Sequence, residues 1–93
     1  MVVGVLQVEL SILGADSLKA KRMVLRSLKD RIRKNFNVSI AEVEDNDQWQ
    51  SAVLAVAMVS NNRRFANRVL SKTVDFIESS RDLVVDDYQL GFY

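Results

Sequence analysis

Two stretches of helical periodicity, each set between strand-like runs, constrain this chain most. Residues 18–34 place Leu18, Val24, Leu25, Leu28 and Ile32 on one arc of a helix. Residues 63–79 do the same with Phe65, Ala66, Val69, Leu70, Thr73, Phe76 and Ile77. Before the first helix, residues 1–12 alternate. Val2, Gly4, Leu6, Val8, Leu10 and Ile12 share one face, while Val3, Val5, Gln7, Glu9 and Ser11 share the other. Leu13 to Ser17 make the turn, with Asp16 or Ser17 as N-cap, since a short side-chain oxygen there accepts from a free N–H of the first helical turn.

Asn35 stops the first helix. Residues 36–43 read as a second strand with Phe36, Val38 and Ile40 on one face, and Glu44-Asp45-Asn46-Asp47 as the turn after it. Residues 49–59 form a third strand, apolar on both faces and therefore central. Asn61 or Asn62 caps the second helix, and residues 83–92 are a last strand. The order is βαββαβ. Two right-handed βαβ units sharing one antiparallel sheet make an α+β, ferredoxin-like sandwich, with sheet order 4-1-3-2 and both helices on one face. With 93 residues, no Pro and no linker-like stretch, the whole chain, 1–93, is a single domain.

No helix remains to cover the other sheet face. Val3 and Val5 lie there, beside either Val53/Ala55/Ala57/Val59 or Leu54/Val56/Met58 of the third strand. An uncovered apolar face is an association surface, so a sheet-to-sheet homodimer with two-fold symmetry is expected.

The formal net charge of +1 conceals a strong separation. Residues 17–35 carry net +7 and residues 62–79 net +2, leaving net −8 for the strands and turns. Lys19, Arg22, Arg26, Lys29 and Arg33 recur at alternating spacings of three and four, within an arc of about 80° and over a rise of about 21 Å. Like charges at such spacing repel and weaken a helix. A stripe kept at that cost suits a polyanion such as a nucleic-acid backbone. Arg64, Arg68 and Lys72 form a shorter stripe on the second helix, and neighbouring helices could merge the two. Surface helices also favour Lys and Arg for propensity and solubility alone. Aromatic residues are not interleaved with the cations. Contact with phosphates or structured RNA is therefore favoured over base stacking.

Several chemistries are excluded. There is no Cys and no His, which removes thiol nucleophiles, His general bases, disulfides and the usual zinc, copper or haem sites. Glu42, Glu44, Asp45 and Asp47 lack the glycine and spacing of a calcium loop, so no metal is expected. Gly14 alone is no phosphate cradle, and no cofactor is expected. Trp49 reads as a hairpin or interface anchor. Lys21 stands apart, since it lies on the apolar arc of its helix. Snorkelling past the sheet edge or pairing with a carboxylate such as Glu9 is the ordinary outcome, and a desolvated functional amine is the alternative. The first twelve residues contain Glu9 and no Lys or Arg, unlike a signal peptide, and the longest apolar run, 52–59, is far too short for a membrane span. A cytoplasmic, non-enzymatic protein is expected.

Ser17-Leu18-Lys19-Ala20-Lys21-Arg22, followed by Leu25, Leu28 and Arg31, resembles the opening-helix signature of the bacterial YlxP-like proteins. Residues 36–43, Asp47-Gln48-Trp49-Gln50 and Val59-Ser60-Asn61 resemble the next blocks of that family. The resemblance implies a ferredoxin-like fold in a small cytosolic protein of unknown function. It also implies a setting near translation and small-subunit maturation, from the company its genes keep. It marks Lys19, Lys21 and Arg22 as contact positions, and no catalytic residue.

The expected function is an RNA- or ribosome-associated factor that docks on phosphates. Lys19, Arg22, Arg26, Lys29 and Arg33 would carry most of the contact, with Arg64, Arg68 and Lys72 flanking. Five to eight phosphate contacts would weaken binding roughly 10³-fold or more between low and physiological salt. The alternatives are a small-molecule-binding regulatory dimer with its site near residues 14–17 or at the dimer seam, a protein-interaction domain reading an acidic partner, and a carboxylate-metal nuclease.

Overall fold

A computed structural model describes residues 1–93. The elements run β1 (Val2–Ile12), α1 (Leu18–Asn35), β2 (Ser39–Glu44), β3 (Ser51–Ser60), α2 (Arg63–Glu78) and β4 (Leu83–Phe92). The strands form one antiparallel sheet in the order β2-β3-β1-β4, the expected 4-1-3-2 read from its other edge. β1 pairs with β3 from Val2↔Ser60 to Ser11↔Ser51 and with β4 from Gly4↔Phe92 to Ile12↔Leu83.

This register settles which face each residue takes. Leu6, Val8, Leu10 and Ile12 of β1 and Ala52, Leu54, Val56 and Met58 of β3 are buried on the helix side. They meet Leu25, Leu28 and Ile32 of α1 and Ala66, Leu70, Val74 and Ile77 of α2 in one apolar core. Truncating any such leucine to alanine costs about 2–5 kcal/mol, from lost burial and the cavity left behind. Gly4 belongs to this packing. A Cβ there would lie 2.9 Å from Leu70 Cδ1, so the missing side chain lets α2 close on β1.

The helix ends follow local chemistry. Ser17 Oγ accepts from Ala20 N at 3.0 Å, and Asn62 Oδ1 accepts from Phe65 N at 2.9 Å, so the second of each expected pair is the cap.

The starts of β2 and β3 and two core positions differ from expectation. Residues 36–38 are not strand: Phe36 caps the C-terminus of α1, its N–H bonded to Ile32 O, and its ring meets Phe76 edge-on at 5.9 Å. β2 therefore begins at Ser39. The turn after it runs from Asp45 (φ 63°) to Gln50, and Trp49 lies in the turn instead of opening β3. Val74 takes the buried place expected for Phe65, which is 47% exposed, with Arg68 Cζ 5.9 Å from its ring centre. Each strand edge carries one irregularity, between Glu42 and Glu44 in β2 and between Glu9 and Leu10 where β1 meets β4.

Candidate nucleic-acid interface

The flank of α1 that carries the stripe is fixed by the helix's other two contacts. Its apolar arc faces the sheet. Arg31 marks the seam with α2, its guanidinium carbon 5.7 Å from the Phe76 ring centre. At 3.6 residues per turn, the centre of the stripe lies about 160° around α1 from Arg31. The stripe is therefore turned away from α2.

There it lines a groove between α1 and the edge strand β2. Arg22, Arg26, Lys29 and Arg33 line an open hollow of about 410 Å³ together with Leu25, Asp30 and Glu42. Arg22, Arg26 and Arg33 are exposed and Lys29 is half-buried. Arg33 is partly committed. Its Nη2 donates to Ile40 O at 3.1 Å, and its Nη1 lies 3.5 Å from Asp30 Oδ1 in an exposed pair. Arg22, Arg26 and Lys29 have no ion-pair partner, because the chain's two salt bridges are Lys21–Glu42 and Arg33–Asp30. Three unneutralised cations on one wall make the groove electropositive.

Lys19 lies exposed on the same arc, one turn before Arg22, outside the walls of the hollow. The second stripe does not join the first. Arg64 lines a separate hollow with Arg63, Asn67 and Phe92, where Arg63 Cζ lies 4.8 Å over the Phe92 ring. Arg68 and Lys72 are exposed farther along α2. The single basic face open to the sequence is two surfaces, one beside β2 and one on α2.

Lys21 leaves the contact set. It is 1% exposed. Its Nζ donates to Asp45 O and to Gln48 O, each at 2.6 Å, and lies 2.8 Å from Glu42 Oε2. An ammonium has three hydrogens, and here three oxygens surround it. Of the expected outcomes, pairing with a carboxylate occurs and snorkelling does not; the partner is Glu42 and not Glu9, which is on the opposite sheet face. The amine cannot reach a phosphate. It pins the β2–β3 turn to α1, helped by Gln50 Nε2, which donates to Ala15 O at 3.1 Å.

The sequence groups Glu42 with the acids of the turn, and the structure makes it the partner of Lys21. It pairs across to Leu54 on the inward side of β2, and its side chain is 17% exposed. A signal for it was present. Ile40 and Glu42 share a parity on one strand, so an inward Ile40 implies an inward carboxylate, which the inward Lys21 requires. The other acids of this turn do not converge with it into a group that could hold a metal ion.

On the opposite sheet face, Val3 and Val5 of β1 lie beside Ala57 and Val59 of β3, with Val59 67% exposed. Glu9, Glu44 and Asp87 occupy the other end of that face. No helix of the chain is long and apolar enough to cross a membrane.

The family described as "Protein of unknown function (DUF503)" matches residues 3–90. The uncharacterized protein YlxP of Bacillus subtilis (strain 168) is 38% identical over 77 residues, which cover 83% of this chain and 84% of that relative. In architecture the chain is similar to the solution NMR structure of a de novo designed protein, LFR1 1, with ferredoxin fold. The TM-score is 0.56 at 12% identity, over 100% of this chain and 84% of that one.

Proposed function

We propose that this chain, which belongs to the DUF503 family of proteins of unknown function, is a non-enzymatic factor that docks on RNA or the small ribosomal subunit. The groove between α1 and β2 is the docking surface. The observation that carries this reading is that Arg22, Arg26 and Lys29 line one wall without an ion-pair partner. Such a wall is costly to the isolated protein and is relieved by phosphates, whose condensed counterions are released on binding. Lys19 and Arg33 extend the wall at its two ends.

Filter binding of a structured RNA over a salt series tests this. Four contacts from the groove give a log–log slope of about −3 to −4, or about a 60- to 250-fold loss between 50 and 200 mM salt. Affinity that does not change with salt rejects the reading and favours a small ligand or a protein partner.

A second reading concerns assembly. The apolar end of the open sheet face supports pairing with a second copy. A two-fold axis through the Val3–Val59 end buries Val5, Ala57 and Val59 against their equivalents. It also keeps Glu9, Glu44 and Asp87 of the two copies at opposite ends, so like charges do not meet.

A further inference from the structure

We infer that Glu42 makes the groove a reader of the ribose 2′-hydroxyl, so that it takes RNA in preference to DNA; this rests on the phosphate-docking reading above. A wall of cations alone cannot make that distinction, because both backbones carry the same phosphates. The groove is not made of cations alone. Two carboxylates line it: Asp30, on α1 itself and 3.5 Å from Arg33 Nη1, and Glu42, on β2 across from Arg22, Arg26 and Lys29.

The placement of Glu42 is fixed from behind. Its Oε2 lies 2.8 Å from the buried ammonium of Lys21, with no aligned hydrogen bond to it. Charge therefore holds the side chain on the inward side of β2, while part of it stays open to the groove. None of the groove's own cations pairs with it. Oε2 is buried against Lys21, so the oxygen left for a ligand is Oε1; a carboxylate is acceptor-only, and a ligand entering here meets it with a hydroxyl or amine donor. A ligand that offers phosphates to Arg22, Arg26 and Lys29 and a hydroxyl donor beside them is a ribonucleotide strand. The 2′-hydroxyl is the group by which proteins tell RNA from DNA. With deoxyribose the carboxylate meets added negative charge and no donor.

The test leaves the protein unaltered in its first arm. One short hairpin sequence is made as RNA, as 2′-O-methyl RNA and as DNA, and each is titrated against the wild-type protein. RNA should bind about tenfold or more tightly than either analogue, the scale of one hydrogen bond to a charged acceptor. In the second arm, Glu42→Ala should bring the three affinities together while keeping the salt slope of the wild type. Equal wild-type affinity for RNA and 2′-O-methyl RNA overturns the role of Glu42, whether or not Glu42→Ala folds. Salt-sensitive binding shared equally by all three strands rejects Glu42 and leaves phosphate docking standing. Binding unaffected by salt, or by Arg26→Glu with Lys29→Glu, rejects both.

Discussion

Lys21 Nζ lies 2.8 Å from Glu42 Oε2, and this contact joins the second turn of α1 to the edge strand of the sheet. The same ammonium holds two carbonyls of the β2–β3 turn. One buried side chain thus fixes three pieces: the helix that carries the basic stripe, the strand that faces it and the turn beyond. Removing it exposes how much of the groove depends on that arrangement.

Lys21→Met keeps the length and apolar stem of the side chain and deletes the charge. Two carbonyls and a mostly buried carboxylate lose their partner, which costs about 2–4 kcal/mol. In a domain of this size that lowers Tm by roughly 10–30 °C. Thermal unfolding followed by circular dichroism measures it. A Tm within about 2 °C of wild type would mean that the contact carries no net stability.

RNA affinity separates the buried cation from the exposed ones. Below its own Tm, Lys21→Met should keep the salt slope of wild type, because its ammonium is not offered to a phosphate, while the RNA preference that depends on Glu42 should fall. Lys29→Ala, by contrast, should reduce the log–log salt slope by about one. A Lys21→Met protein that is folded but has lost a full unit of salt slope would return Lys21 to the contact surface.

The two N-caps make a milder test of local structure. Ser17→Ala and Asn62→Ala each leave one helical N–H without its side-chain acceptor and should cost about 1 kcal/mol apiece. Urea unfolding midpoints report this. No change at Ser17 would indicate that water replaces its hydroxyl at no cost.

Val59→Asp addresses the open sheet face. Val59 is exposed in the single chain, so the folding free energy of one copy should move by no more than about 0.5 kcal/mol. The molar mass from light scattering should fall from dimer to monomer. A wild-type protein that is already monomeric at high concentration would remove the pairing altogether.

Most of the fold was legible because it rests on periodicity. Alternation in residues 1–12 and two amphipathic helices are local signals, and they dictate the sheet order once crossover handedness is added. What escaped was the response of tertiary contacts to local cues. Phe36 has the strand-forming character of its neighbours, yet its packing on Phe76 draws it onto the helix end. Phe65 falls on one flank of the apolar arc of α2, but the covered arc is turned toward the other flank, where Val74 is buried instead. The basic stripe on α1 was legible as an arc. Which way the arc turns was not, because it depends on which flank α2 occupies, and Arg31 on Phe76 shows that only in three dimensions. Lys21 stood out by its place on the apolar arc, while its true partner, Glu42, lay in the expected second strand at the parity of Ile40 and was grouped with the acids of the turn.

Co-sedimentation with ribosomal subunits over a salt titration tests the central claim most directly. Wild type runs beside a variant with Arg22, Arg26 and Lys29 changed to Glu. Arg33 is spared because its guanidinium also holds Ile40 O. Wild type should pellet with the small subunit at low salt and release as salt rises, and the folded variant should stay in the supernatant throughout. Wild type that never pellets, or a variant that pellets as well as wild type, would contradict phosphate docking through this groove.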